Sequence, residues 1–317
     1  MKVLIIGAGA VGQVYGRHLG FSGAEVSFLV KEKYRKEMEA GLVFYGFNGA
    51  SGRPEVQNWT GYEVLSRLDE VREQRWDQVW FCVSSTAIRG EWLGLTLKEC
   101  GEATIVALQP GLEDRELYLK HVDSKRLVSG MIGFISYQAP LEVEHFPHKG
   151  IAYWFPPLSP SLFSGTGDHL KEVLGALKAG GLPAKGHPEL EKVVGFPTAV
   201  LMPILVGLES EGWDFDRFSR SGVRDLVCRA ANEALKIVGA KTGSKVPLGR
   251  ILIKPWTIRC LVALAPSVMP LPIEAYLQYH FTKVGDQTRL FIDTYRRMGE
   301  SYKLSYTALD ELRSLIK

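Results

Sequence analysis

The sequence predicts an α/β fold in which a parallel-sheet domain is followed by a mainly α-helical C-terminal domain. Up to about residue 135, short β-branched runs alternate with amphipathic stretches, which is typical of βαβ units. After about residue 187 the strand signals nearly vanish and long helical patterns take over. We therefore expect two domains, residues 1–187 and residues 188–317.

Four short apolar runs of the first domain have the pattern of strands that are buried on both faces of a sheet. They are residues 3–6, 26–30, 79–83 and 105–108. Residues 11–19 and 112–119 have the spacing of helices, and their positions beside the apolar runs fit βαβ units.

Further along the first domain, the alternation continues without helices, which predicts antiparallel strands added to the sheet edge. These strands are expected at residues 128–137, 141–145 and 151–155. A Pro-, Ser- and Gly-rich loop is expected at 155–166, a helix at 168–179 and a connection at 180–188.

The second domain is predicted to consist of long helices. They are expected at residues 189–209, 216–238, 272–281, 286–298 and 306–316. Pro197 and Pro203 fall inside the first of these, where each removes a backbone hydrogen bond and should kink the helix.

Composition excludes several classes of protein. The net charge of +3 comes from 38 basic and 35 acidic residues that are spread along the chain, so no basic block indicates a nucleic-acid partner. The four cysteines lie far apart, which fits a reducing cytoplasm and indicates neither a zinc site nor a disulfide framework. No signal peptide or membrane-spanning stretch is evident, so we expect a soluble cytoplasmic protein without a membrane partner.

His145 and His148 are the one histidine pair with a spacing of interest. A proline lies between them and no nearby acid completes a ligand set. We therefore predict no metal site.

A glycine motif follows the first predicted strand and opens the first predicted helix, the context in which G-x-G-x-x-G binds a dinucleotide. Its residues are Gly7, Ala8, Gly9, Ala10, Val11 and Gly12. The first glycine permits the tight turn, the second lets the diphosphate approach the backbone, and the third allows close packing of helix on sheet. The anion would lie at the helix N-terminus. The motif predicts a Rossmann domain.

The end of the second strand indicates which dinucleotide binds. An acid there would bind the ribose hydroxyls of NAD or FAD, whereas basic residues accommodate a 2′-phosphate. This strand is followed by Lys31, Glu32, Lys33 and, two residues later, Arg35. Lys31 and Arg35 favour NADPH (NADP+) and argue against FAD, while Glu32 leaves NADH open.

The chain resembles the ketopantoate reductase family over nearly its whole length. Three features carry the resemblance: the N-terminal glycine motif, the basic end of the second strand, and a helical second domain with a lysine near its start. In that family a lysine in a W-x-K-L-x-x-N type motif acts as general acid toward the carbonyl being reduced. Lys192 stands at that place and is the first catalytic candidate. A lysine suits the role because hydride addition leaves an alkoxide that must be protonated.

The resemblance also implies a glutamate that holds the substrate hydroxyl, in a T-E-I-D-Y type motif. The best match is Pro272-Ile273-Glu274-Ala275-Tyr276, which makes Glu274 the second catalytic candidate. A first-turn helix acid beside a proline is the alternative interpretation of Glu274. His280 is a further candidate for proton transfer, with a solvated helix end as the alternative.

The sequence departs from the family's pattern at positions that the family uses for cofactor and substrate. Ser84 stands in place of a lysine, and the family's L-Q-N-G loop keeps Gln109 but has Pro110 in place of the asparagine. Phe196 and Val200 replace two asparagines that follow the family lysine. Ser84, Gln109 and Pro110 are therefore cofactor-site candidates, and a more apolar substrate cleft is expected.

The resemblance implies an NADPH-dependent reductase of a 2-oxo acid or related ketone. The family default is reduction of 2-dehydropantoate to pantoate, in pantothenate biosynthesis. The apolar replacements add the hypothesis that the enzyme is re-specialised to a more apolar carbonyl substrate. The alternative is a nucleotide-binding protein of the same fold with little or no catalysis. An apolar, aromatic-rich helical domain also fits a homodimer.

Overall fold

The computed structural model describes residues 1–49 and 54–316. The twelve strands in this part of the chain all lie before residue 187. They are β1 (Lys2–Ile6), β2 (Glu25–Leu29), β3 (Leu42–Gly46), β4 (Glu55–Trp59), β5 (Tyr62–Leu65), β6 (Gln78–Phe81), β7 (Thr104–Ala107), β8 (Leu127–Met131), β9 (Ile135–Ala139), β10 (Gly150–Trp154), β11 (Ser161–Ser164) and β12 (Ala184–Gly186).

The chain divides into two structural units. The first contains Met1–Gln109 and Glu113–Leu190, and the second contains Pro110–Leu112 together with the chain from Glu191 onward. All the strands belong to the first unit.

Fourteen α-helices fall within the described residues. They are α1 (Ala10–Phe21), α2 (Arg35–Glu39), α3 (Leu68–Arg72), α4 (Trp92–Glu99), α5 (Asp114–Leu119), α6 (Gly167–Ala179), α7 (Leu190–Val193), α8 (Gly195–Ser210), α9 (Phe215–Arg220), α10 (Val223–Thr242), α11 (Pro255–Val268), α12 (Ile273–Lys283), α13 (Gly285–Ser301) and α14 (Thr307–Arg313).

The main sheet has eight strands in the order β12-β11-β8-β7-β6-β1-β2-β5. Its neighbours from β8 to β5 are all parallel, and only β11 runs antiparallel to β8. The four predicted strands appear as β1, β2, β6 and β7, with ends shifted by one or two residues. The predicted α/β class with a mainly helical second part is confirmed.

The strand β1 is apolar along its length because both faces of the main sheet are buried there. Successive side chains of a strand point to opposite faces. Val3 and Ile5 join the apolar cluster on one face of the sheet, and Leu4 and Ile6 join the cluster on the other. Both faces are covered, as expected for a parallel sheet.

The prediction that further antiparallel strands extend the main sheet was wrong. β9 and β10 pair with each other and join β3 and β4 in a separate four-stranded sheet, in the order β4-β3-β10-β9. The predicted strand at residues 141–145 is a turn, because Glu144 accepts the Leu141 N–H at 2.8 Å and the Tyr137 hydroxyl. A side chain thus takes a donor that a strand would have needed.

Two short strands lie where a loop and a connection were predicted. β11 pairs with β8, and β12 pairs with β11. Ser161 in β11 explains part of the error, because its hydroxyl accepts hydrogen bonds from Tyr15 and from the Gly133 N–H, both at 3.1 Å. The serine signal for a loop was therefore misleading, since the side chain is satisfied inside the fold.

Two of the predicted long helices are each broken in two. The first is interrupted at Val194, between α7 and α8. Pro203 lies within α8, whereas Pro197 lies in its first turn, where the missing N–H has no helical partner to lose. The second breaks between α9 and α10, where the Ser221 hydroxyl accepts the N–H of Val223, the first residue of α10, at 3.1 Å.

Leu190–Ser210 is long and apolar enough to cross a membrane by length and composition, contrary to the expectation that no such stretch exists. The helices Pro255–Val268 and Ile273–Lys283 meet the same test only as a pair, and they are bent by 109°. Over half of the apolar window in Leu190–Ser210 is buried within the chain, and the core helix of a soluble protein passes the same test.

Two buried polar residues fix α1 to the second sheet and to the end of α6. Arg17 donates to the Tyr153 hydroxyl at 3.0 Å, and its guanidinium lies over the rings of Phe21 and Phe44. His18 Nδ1 lies 2.7 Å from the Gly180 carbonyl oxygen. Burial lowers the pKa of His18 to about 4, so the ring is neutral at pH 7 and its N–H donates to that carbonyl.

Candidate active site

The turn between β1 and α1 requires glycine at two of its positions. Gly7 has φ of +96°, and a Cβ there would lie 2.7 Å from Val83 Cγ1. A Cβ at Gly12 would lie 2.0 Å from the Gly7 carbonyl oxygen and 3.1 Å from Cys82 Cβ. Helix α1 therefore starts in direct contact with the carboxyl ends of β1 and β6, as the motif predicts.

Gly9 differs from its neighbours because its missing side chain leaves open space. It is the exposed N-cap of α1, and a Cβ there would meet nothing within 4 Å. Gln13 supports the turn by donating to the Ala8 carbonyl at 2.8 Å. The arrangement fits a diphosphate, because the first N–H groups of a helix have no helical partners and its dipole favours an anion.

The remaining motif residues, Ala8, Ala10 and Val11, are half-buried beside this opening. Their side chains pack against the apolar cluster on one face of the sheet. Their contribution to a bound diphosphate would thus come from backbone groups, as for Gly9.

Lys31 and Arg35 have different surroundings. Lys31 is exposed at the end of β2, and among the described residues its ammonium makes no hydrogen bond or ion pair. Arg35 lies among three glutamates, 2.9 Å from Glu70, 3.4 Å from Glu39 and 3.7 Å from Glu32. The guanidinium that the sequence assigned to a phosphate thus already has anionic partners.

Glu70 is the firmest of these partners. Its carboxylate accepts the backbone N–H groups of Ser66 at 2.8 Å and Arg67 at 2.9 Å. The Ser66 N–H and the Arg35 guanidinium lower the pKa of Glu70, which keeps it ionised. The Arg35 side chain is consequently anchored to the β5–α3 turn.

The loop after β6 is anchored by a buried acid that the sequence analysis missed. Asp114, at the start of α5, accepts a hydrogen bond from Ser85 at 2.6 Å and forms an ion pair with Arg89 at 2.9 Å. Its position in the first turn of a predicted helix was the available signal. Ser84 is half-buried beside this anchor, and its hydroxyl lies 2.8 Å from that of Thr86.

Gln109 is used to hold two loops together. Its amide nitrogen donates to the carbonyl oxygens of Phe81 and Val83, each at 2.8 Å, and its amide oxygen accepts the Tyr118 hydroxyl at 2.7 Å. These bonds tie the end of β7 to the end of β6, so the side chain has a structural task at the carboxyl edge of the sheet. Pro110, the next residue, is half-buried and belongs to the second unit.

The catalytic candidates lie in the second unit. Lys192 is exposed on the one-turn helix α7. The following helix is packed closely, because a Cβ at Gly195 would lie 2.7 Å from Leu112 Cδ2 and 3.0 Å from Val238 Cγ1. Phe196 is buried, and Val200 is half-buried.

Glu274 has a partner within the fold, which supports its interpretation as a structural acid in the first turn of a helix. Its carboxylate accepts the N–H of Phe215, the first residue of α9, at 3.0 Å. It therefore joins the start of α12 to the start of α9. Burial, with a smaller contribution from the Lys283 charge, lowers the pKa of His280 to about 4, so that ring is neutral at pH 7.

No group of three or more His, Cys, Asp or Glu side chains is arranged to hold a metal ion within residues 1–49 and 54–316. Cys82, behind the glycine turn, is not a reactive thiol, since burial raises its pKa. In the first unit, the Gly9 turn and Lys31 are open polar features near the carboxyl edge of the main sheet.

The family comparison bears on this same region. The model of the ketopantoate reductase PanE/ApbA family matches residues 3–155, which include the glycine turn. The resemblance to ketopantoate reductases is confirmed. No curated protein sequence is significantly similar to this chain.

Solved structures of the ketopantoate reductase fold match nearly the whole chain. A PanE/ApbA family ketopantoate reductase from Ralstonia eutropha JMP134 has a TM-score of 0.75 at 18% identity, covering 99% of this chain and 97% of its own. A 2-dehydropantoate 2-reductase from Geobacter metallireducens GS-15 gives 0.71 at 15% identity, with 99% and 98% covered.

A D-mandelate dehydrogenase with NADH and anilino(oxo)acetate gives a TM-score of 0.74 at 15% identity, covering 99% of this chain and 96% of its own. At such identities the likeness shows the fold. The family match over residues 3–155 is what supports a ketopantoate-reductase-like oxidoreductase.

We expect Gly9→Ala to weaken the binding of NADPH and NADH at least about 10-fold while changing the free energy of unfolding by less than about 1 kcal/mol. The added methyl group enters space that is open in the free protein but lies where the diphosphate would approach. Fluorescence titration of each dinucleotide and urea unfolding measure the two effects.

Two glycine variants serve as controls for this expectation. Gly12→Ala should lower both stability and binding, because its Cβ collides with a backbone oxygen. Gly175→Ala, in α6 with nothing within 4 Å, should leave binding unchanged. Wild-type affinity in Gly9→Ala would show that the diphosphate binds elsewhere.

Proposed function

We propose that this protein is an NADPH-dependent reductase of a 2-oxo acid or related ketone. The observation that carries the proposal is the glycine turn, whose open Gly9 position at the N-terminus of α1 suits a dinucleotide diphosphate. The ketopantoate reductase family match supplies the reaction class. Reduction of 2-dehydropantoate to pantoate, in pantothenate biosynthesis, is the family default.

Lys31 is the proposed ligand of the NADPH 2′-phosphate. Its exposed ammonium follows β2, where the adenosine ribose binds in this class of fold. Arg35 contributes less than the sequence suggested, because its guanidinium is paired with Glu32, Glu39 and Glu70. The exposed Glu32 and the NADH bound to the similar D-mandelate dehydrogenase favour NADH as the second candidate.

The nicotinamide dinucleotide, when bound, supplies a hydride to the carbonyl carbon of the substrate. In the proposed mechanism, Lys192 donates a proton to the carbonyl oxygen and stabilises the negative charge that develops on it. Glu274 holds the substrate hydroxyl. The diphosphate contacts come from backbone N–H groups of the glycine turn, with Ser84, Gln109 and Pro110 flanking it at the carboxyl edge of the sheet.

The proposed substrate is more apolar than ketopantoate. Phe196, Val200 and Pro110 offer no side-chain hydrogen bond at positions where the family has asparagines, so a polar substrate would lose partners there. Mandelate is an aromatic 2-hydroxy acid, and the likeness to its dehydrogenase adds weight to aromatic 2-oxo acids as substrates.

We expect the protein to oxidise NADPH with at least one substrate from a panel that contains ketopantoate and bulkier aliphatic and aromatic 2-oxo acids. Lys192→Ala should lower kcat about 100-fold or more with unchanged NADPH affinity, because the proton donor acts only in the chemical step. Lys236→Ala, an exposed lysine of α10, is the matched control and should retain full activity.

The panel also tests the alternative function. Tight NADPH binding with no turnover on any carbonyl would support a nucleotide-binding protein with little or no catalysis. Activity confined to aromatic acids would support the apolar substrate, and activity on ketopantoate would support the family default.

Lys31→Ala should raise the Kd for NADPH about 10-fold and leave the Kd for NADH unchanged, because only NADPH carries the 2′-phosphate. Lys33→Ala is the control, since Lys33 is also exposed but lies over the Tyr34 ring. Equal affinities of wild type and Lys31→Ala for NADPH would remove Lys31 from the site and favour NADH.

Glu274→Gln separates the two roles of Glu274. The amide oxygen can still accept the Phe215 N–H, so we expect a Tm close to wild type, whereas Glu274→Ala should lose about 1 kcal/mol of stability. If the carboxylate holds the substrate, Glu274→Gln should lower kcat/KM about 10-fold or more. Full activity of Glu274→Gln would leave Glu274 with the structural role alone.

The proposed setting is the cytoplasm, with a small-molecule carbonyl substrate and no nucleic-acid or membrane partner. The spread of charges along the chain and the distant cysteines are the features behind it. Assembly as a homodimer is part of the proposal.

A further inference from the structure

Helix α11 and the short 3-10 helix before it, Leu248–Leu252, expose an unusually large apolar surface. Its large side chains, with relative exposures from 60% to 85%, are those of Leu248, Ile251, Leu252, Trp256, Leu261, Leu264 and Val268. We call this surface the α11 face. Only Ile258 and Val262 of α11 are buried.

The exposed residues of α11 form a stripe along the helix. Trp256, Leu264 and Val268 are separated by multiples of four residues, as is the exposed Cys260, so they follow one side of the helix. The buried Ile258 and Val262 lie on the opposite side at helical spacing.

The stripe of α11 carries no charge, whereas Arg250 and Lys254, in and just after the 3-10 helix, are exposed at one end of the α11 face. Arg259 is the one charged residue among the fourteen of α11, and its position in the helical turn lies outside the stripe. An uncharged stripe of this kind suits an equally uncharged protein surface.

We infer that the α11 face binds a second copy of this chain. Taking about 100 Å² for each apolar side chain, its seven large residues expose on the order of 700 Å², close to the roughly 800 Å² per partner of a standard interface. This exceeds the largest apolar patch of a typical monomer, about 300–600 Å².

A two-fold axis near Cys260 makes the stripe self-complementary. In an antiparallel pair of α11 helices, Trp256 of one copy meets Leu264 of the other, and the two Cys260 thiols face each other across the axis. No like charges meet within the stripe, because Arg259 lies outside it. The inference gives the homodimer of the proposed function its interface and does not depend on the proposed enzymatic activity, since none of these residues is a catalytic or cofactor candidate.

Size-exclusion chromatography with light scattering tests the inference on the full chain. Wild type should elute with twice the 35.3 kDa chain mass over a wide concentration range. Leu264→Asp should weaken self-association about 100-fold or more, because each dimer would bury two carboxylates. Leu95→Asp, on α4 of the first unit, replaces a leucine of similar exposure and should remain dimeric.

Cross-linking tests the position of the axis. A short bis-maleimide should join two copies through Cys260, because packed helices lie about 8–10 Å apart. Cys260→Ser and Leu264→Asp should abolish the cross-link, and circular dichroism should show both variants folded.

A monomer at all concentrations would overturn the inference, as would a dimer that survives Leu264→Asp. Co-sedimentation of a monomeric wild type with phosphatidylglycerol vesicles, lost in Leu264→Asp, would instead assign the α11 face to a membrane.

Discussion

The contact between the start of α1 and the carboxyl ends of β1 and β6 is the constraint on which the candidate site depends. A methyl group at Gly12 would reach within 2.0 Å of the Gly7 carbonyl oxygen, so the helix can begin there only because residue 12 is glycine, and the turn before it needs glycine at position 7 because φ there is +96°. Further along, Arg17 and His18 fix the same helix to the second sheet and to the turn after α6. The free N–H groups at its N-terminus are consequently held in a fixed position at the edge of the main sheet.

Several polar side chains around that edge have partners within the fold. Gln109 bonds three groups of the β6 and α5 region, Asp114 anchors the loop after β6, and Arg35 is surrounded by glutamates. Sequence position alone suggested ligand contacts for Gln109 and Arg35. Glu32 and Glu39 stand within four residues of Arg35, but its firmest partner, Glu70, is 35 positions away, and the carbonyl groups that Gln109 binds are 26 and 28 positions away. Once these groups are satisfied, the backbone of the glycine turn and the ammonium of Lys31 are the features that remain open to an anion.

Sequence reasoning succeeded where a local pattern fixes local structure. The four apolar runs became β1, β2, β6 and β7, and the glycine motif became the β1–α1 turn, since hydrophobic runs and missing Cβ atoms act within a few residues. It failed for the second sheet, because pairing of β3 with β10 joins residues about a hundred positions apart. Turn-like residues also concealed β11, whose Ser161 is satisfied by Tyr15 within the fold.

Helix α11 was missed for a related reason. A helix is recognised in sequence by an apolar side facing its own core and a polar side facing water, but α11 is apolar on both. Its buried side includes Ile258 and Val262, and its exposed side is also apolar, with Trp256, Leu264 and Val268. An exposed apolar side of this size costs free energy in water and is typical of an interaction surface. The absence of polar periodicity that concealed the helix is thus the same property that indicates a partner surface.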